Sequence, residues 1–223
     1  METKIGRYNY IIFDFETGGL DSTLNPITEI GMMLVNGDNL KEINKWESYI
    51  KPYNNLTLEK RALEITMITE TQLNKGLDIK QMVDTFCILA KSITPKGDKG
   101  QKRPTLVGHN VAFDISFLQY AFKLCGKNLE DYVHSNQKEI TAIDTMKLAQ
   151  QAWNDEKSNL AYCCKKIGID HVDAHRAMND VVVTWKLWSY FVRAMRGSNT
   201  TTKGSVITVE ENKTQEFRNT FQF

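Results

Sequence analysis

At Pro52 the hydrophobic pattern of the chain changes period, and no other feature constrains the fold as tightly. Before it, residues 8–15, 27–35 and 43–50 read as three strands. Gly18-Gly19 ends the first of them, and Gly37-Asp38-Asn39 supplies a hairpin turn between the second and third. After it, Leu58, Ala62, Ile65 and Ile68 recur at helical spacing, as do Ile79, Val83, Phe86 and Ala90. Residues 105–111 form a short apolar strand, and helical runs follow at 115–125, 145–153, 160–167 and 177–195. Strands joined by short loops predict an antiparallel meander. The helix–strand–helix crossover that follows turns this into an α/β fold: a mixed central sheet, its first three strands antiparallel, flanked by helices.

A chain of 223 residues is long enough for one well-buried domain, expected over 1–196. Residues 197–223 open with a Ser/Asn/Thr/Gly stretch and read as a flexible tail. A net charge of +1 offers nucleic acid no long-range attraction, so such a partner needs a local basic patch. Lys96, Lys99, Lys102 and Arg103, against Asp98 alone, make residues 95–104 either a solvated connection or that patch. Cys87, Cys125, Cys163 and Cys164 lack zinc spacing and lie in apolar, helix-like runs, as buried free thiols do in a reducing compartment. No signal-peptide core is evident, and no run approaches the roughly 18 apolar residues of a membrane span. A soluble, cytoplasmic protein without a membrane partner is the expectation.

The chemistry lies in four acids and a histidine. Asp14 and Glu16 are two apart on the first strand, so both side chains leave the same face while Phe13 and Phe15 point into a packed layer. Neighbouring carboxylates repel unless a cation sits between them, and hard oxygen donors suit Mg²⁺ or Mn²⁺. The same pair also fits an exposed strand end with solvated acids. Asp114, after Gly108-His109-Asn110, fits either a helix N-cap or a metal ligand. His175 and Asp180 are five apart, about 140° around a continuous helix. They converge only if His175 occupies the turn before the helix and Asp180 its first turns. A histidine beside such acids is a natural general base.

Taken together, Asp14-Phe15-Glu16-Thr17, Gly108-His109-Asn110-Val111-Ala112-Phe113-Asp114 and His175-Arg176-Ala177-Met178-Asn179-Asp180 resemble the three motifs of the DEDDh, or DnaQ-like, 3′–5′ exonuclease family. Glu29-Ile30-Gly31, residues 62–69 and Ile143-Asp144-Thr145 are also similar to it, so the likeness runs from about residue 8 to 195. The resemblance implies a ribonuclease H-like fold and hydrolysis of phosphodiester bonds with two divalent ions, Mg²⁺ or Mn²⁺. In that scheme Asp14 touches both ions, Glu16 and Asp180 complete one site, Asp114 holds the second partly through water, and His175 deprotonates the attacking water. Thr17, Leu20, Asn110 and Phe113 match positions near the terminal nucleotide, whereas Gly18 departs from the usual polar residue.

The implied substrate is a nucleic-acid 3′ end. Single-stranded DNA is favoured because proofreading-type members carry the nearest motifs, RNA is the alternative, and a non-catalytic polymerase-accessory module is the other reading. The aromatics Phe217, Phe221 and Phe223 in the tail faintly resemble peptides that dock on sliding clamps, although Arg218 stands where an aliphatic residue is preferred. The favoured reading of the tail is a disordered end whose aromatics fold back onto the domain. A DNA polymerase or sliding clamp is therefore an expected partner only through that segment.

Overall fold

The computed structural model describes residues 8–96, 102–171 and 174–196. The tail with its clamp-like aromatics, and Asp98 and Lys99 of the basic loop, lie outside them. Strands β1 (Asn9–Thr17), β2 (Ile27–Asn36) and β3 (Glu42–Tyr49) form the expected antiparallel meander. Helices α1 (Lys60–Thr66), α2 (Glu70–Asn74) and α3 (Ile79–Ser92) lead to β4 (Thr105–Gly108) and α4 (Val111–Leu124). A minimal hairpin, β5 (Ser135–Asn136) and β6 (Glu139–Ile140), precedes β7 (Ala142–Asp144). Helices α5 (Thr145–Trp153), α6 (Leu160–Lys166) and α7 (Ala177–Arg196) follow.

The main sheet runs β3-β2-β1-β4-β7, with β4 parallel to both β1 and β7. Alternation along β1 divides its side chains between two layers. Ile11, Phe13 and Phe15 face a core with Val83 and Phe86 of α3 and Phe117 and Leu118 of α4. Ile12 faces the opposite side, with Val181 and Trp188 of α7. Strand β2 is buried from end to end, which explains the apolar run over residues 30–35. Its neighbour β3 is the sheet edge, and its charges Lys45 and Glu47 blunt that edge.

Three sequence expectations are corrected. The period through Leu58 to Ile68 is not one helix: Met67 adopts the left-handed region (φ 54°), and Thr69 with Gln72 forms a capping box that starts α2. The strand expected over 105–111 stops at Gly108, and α4 begins at Val111, about one turn early. Asn110 (φ 61°) is consequently the N-cap, and Asp114 lies within the first turn. The three-residue strand β7 was not anticipated, because its ladder to β4 supplies order that its own sequence barely signals. All four cysteines are free and sit in or at the end of helices, as expected. Among the described residues no helix is long and apolar enough to cross a membrane.

Candidate active site

Asp14 and Glu16 leave the α7 face of β1, and Asp180 reaches them from the first turn of α7. Carboxylate oxygens of the three lie within 4.8 Å of one another. Two features of β2 set this approach. Gly31 pairs with Asp14 across the ladder, and a Cβ there would stand 2.5 Å from the carbonyl carbon of Ala177, so only glycine lets α7 come this close. Glu29, opposite Glu16, is buried and accepts from Arg176 Nη2 at 2.8 Å, from Arg176 Nε at 3.2 Å and from the Ala177 amide at 3.5 Å. An anion at a helix N-terminus is favourable, and here it fastens α7 to the sheet. Arg176 also donates to the Tyr49 hydroxyl at 2.5 Å.

Asp114 arrives from the other helical layer. Its buried carboxylate accepts the Phe15 amide at 3.1 Å, which ties α4 to β1 between the two strand acids. It lies beside the three-acid cluster, and its charge is felt by Asp14. Withdrawal from water pushes the Asp14 carboxyl well above the usual carboxylate range, with Asp114, Asp180, Glu16 and Glu29 adding repulsion. Burial raises Glu16 to about 8, helped by Asp180, Glu29 and Asp114 and opposed by Arg176. Asp114 is likewise pushed to about 8 by burial, against the Phe15 amide, which favours its anion.

These shifts have a sign that can be measured. Each group binds its proton more tightly in the folded chain, so between about pH 4 and 8 the folded state holds more protons and stability falls as pH rises. In EDTA the Tm is expected to drop between about pH 5 and 8.5. At the higher pH, Mn²⁺ at about 100 times its Kd should add about 2.7 kcal/mol, or roughly 5–10 °C. Scanning calorimetry across pH, with and without Mn²⁺, measures both, and a flat EDTA profile would contradict the crowding of acids.

His175 occupies the turn before α7, as its spacing required, with φ 68°. It is exposed, and no hydrogen bond joins it to an acid among the described residues. It instead lines a cavity of about 410 Å³ with Glu47, Met67, Arg176 and Asn179. A different histidine reaches the acids: His171 Nε2 lies 2.5 Å from Asp180 Oδ1. Sequence reasoning passed over His171, because no spacing rule predicts a contact made by the path of a loop. His109 serves structure, its two ring nitrogens meeting Thr145 Oγ1 and the Ser158 carbonyl, both at 2.9 Å, while burial lowers its pKa.

The remaining predicted residues lie within four positions of an acid along the chain. Thr17 Oγ1 donates to the Gly19 carbonyl at 2.6 Å, and Leu20 is 83% exposed in the turn after β1. The Asn110 amide donates to Asp144 at 3.0 Å, and Phe113 packs on Phe117 with centroids 5.0 Å apart. Gly18 is explained by packing: a Cβ there would meet Leu58 and Pro26 at 2.9 Å.

With this geometry established, comparison with known proteins is decisive. The family described as RNase_T, exonuclease, matches residues 11–188. The chain belongs to this exonuclease family. Its relatives include the PolC-type DNA polymerases III of Bacillus cereus, 28% identical over 81% of this chain and 11% of the polymerase, and of Bacillus subtilis, 31% identical over 78% and 11%. The exonuclease-family chain thus spans about a tenth of the length of these curated relatives. The crystal structure of E. coli exonuclease I in complex with a dT13 oligonucleotide superposes with a TM-score of 0.66, at 20% identity, over 83% of this chain and 44% of that one. The fold is ribonuclease H-like, as the motif resemblance implies.

Proposed function

We propose that this chain is a divalent-metal-dependent 3′–5′ exonuclease that hydrolyses phosphodiester bonds at DNA 3′ ends and releases nucleoside 5′-monophosphates, in proofreading, replication or repair. The convergence of Asp14, Glu16 and Asp180 carboxylates within 4.8 Å, with Asp114 beside them, is the observation that carries the reading. The relatives that are DNA polymerases, and the solved neighbour bound to a DNA oligonucleotide, favour DNA as substrate. Residues 1–196 are the unit that does this work, with 197–223 an appendage.

The donor set fits the proposed ions. It consists of hard carboxylate oxygens whose proton affinity is raised by burial and then by mutual repulsion, and a divalent cation relieves the repulsion. Asp14 would contribute to both sites, Glu16 and Asp180 would complete one, and Asp114 would serve the second. Bound there, two Mg²⁺ or Mn²⁺ ions supply a nucleophile at neutral pH and charge stabilisation for an in-line displacement. His175, on the exposed turn beside Arg176, takes the proton of the attacking water. Leu20 offers an apolar surface to the terminal base, Phe113 shapes the cleft wall, and Thr17 and Asn110 face the terminal nucleotide.

A gel time course on 5′-labelled DNA and RNA strands of one sequence, with Mg²⁺, Mn²⁺ or EDTA, tests the function. The expected result is a ladder shortening from the 3′ end, faster on DNA and absent in EDTA. Ladders equal in EDTA, or internal cuts, would overturn it. For His175→Ala, a loss of roughly 10²–10⁴-fold in kcat with Mn²⁺ affinity retained is expected for a general base. An unchanged neutral-pH rate in single-turnover kinetics would remove His175 from that role.

A further inference from the structure

We infer that His171 is a positioning residue that fixes the Asp180 carboxylate for cation binding, an inference resting on the metal-dependent reading above. The ring donates from Nε2 to Asp180 Oδ1 at 2.5 Å, and a carboxylate only accepts, so Nε2 carries the proton. The two side chains are 9% and 13% exposed, which leaves little room for water to compete for the bond. The second ring nitrogen, Nδ1, is buried and meets no hydrogen-bond partner among the described residues. One bond therefore sets the ring, and that bond is made to an acid of the cluster.

The placement of His171 is built into the packing. At the end of α6, Gly168 (φ 72°) turns the chain, and the Ile169 amide donates back to the Cys164 carbonyl at 2.9 Å. Ile169 then packs with Cys164 and with Val183 of α7. Two residues later His171 meets Asp180, three positions before Val183 on the same helix. With Oδ1 engaged, the Asp180 carboxylate cannot rotate freely, and it presents a fixed edge to Asp14 and Glu16. Hydrogen-bonded ligands bind metal more tightly because the orientation is set before the ion arrives, an effect worth about 10–100-fold in affinity.

The test is a Mn²⁺ titration followed by electron paramagnetic resonance of the free ion, on wild type, His171→Leu, His171→Gln and Asp14→Asn. Leucine fills the volume without a donor and is expected to weaken Mn²⁺ binding by about 10–100-fold, while glutamine, which keeps an N–H, restores most of it. The leucine variant's Tm in EDTA should stay within a few degrees of wild type. Wild-type Mn²⁺ affinity in His171→Leu would overturn the inference. If that variant does not fold, the ¹⁵N-imidazole spectrum of wild type decides: the Nε2–H signal of His171 persists when Mg²⁺ is added, and its loss overturns the inference. Mn²⁺ binding that Asp14→Asn leaves intact would instead remove the metal reading itself, so the two failures are distinguishable.

Discussion

Asp14→Asn is expected to abolish turnover while making the metal-free protein more stable. Asparagine matches the shape of aspartate but lacks the anion, so both proposed ions lose their shared ligand. Metal-assisted phosphodiester hydrolysis draws several kcal/mol of transition-state stabilisation from the ions, and a loss on the order of 10³-fold or more in kcat/KM follows. Stability should move the other way. Burial, and then the charges of Asp114, Asp180, Glu16 and Glu29, press folded Asp14 toward its protonated form, a cost at high pH that asparagine does not carry. At about pH 8 in EDTA the variant should therefore melt above wild type, and Mn²⁺ should no longer raise its Tm. Single-turnover assays and calorimetry on one preparation read both effects. A variant that retains wild-type turnover would remove Asp14 from the proposed chemistry.

Gly31→Ala should harm both stability and rate, although it touches no proposed ligand. The added methyl would sit 2.5 Å from the Ala177 carbonyl carbon and 2.6 Å from the Met178 nitrogen, which are backbone atoms that cannot swing aside. Overpacking of this kind costs about 1–3 kcal/mol, or roughly 3–10 °C in Tm for a chain of this size. The relief available is a shift of the first turn of α7 away from β2, and Asp180 moves with that turn. A displacement of about 1 Å at a catalytic group costs on the order of 10²-fold. The expected result is a lower Tm together with a rate loss that persists well below the new Tm. A fall in Tm with full activity at low temperature would show that α7 can yield without moving Asp180.

The sequence carried the layers of this fold better than their joints. Alternation in β1 separated Asp14 and Glu16 from Phe13 and Phe15, and the helical period marked α5 and α7 closely. The start of α4 was missed because Val111, Ala112 and Phe113 are as apolar as a strand, and the deciding feature is the left-handed backbone at Asn110. The acids were legible because their chemistry is local: two on one strand, and one in the first turn of each of two helices. Glu29 was visible only as part of a motif-like stretch, and its hold on Arg176 and Ala177 joins residues 147 and 148 positions apart. His171 was invisible for the same reason, since its contact depends on how Gly168 and Ile169 steer the chain between two helices.

The acids come from three depths of the chain and from both sides of the sheet: Asp14 and Glu16 from β1, Asp114 from α4 in one layer, and Asp180 from α7 in the other. During synthesis the strand acids emerge long before Asp180 exists. A growing chain therefore lacks one acid of the cluster until residue 180 has been added and α7 has docked. On the proposed reading, competence to cut reports the docking of α7, and a fragment ending before residue 180 should be silent however well its sheet has formed.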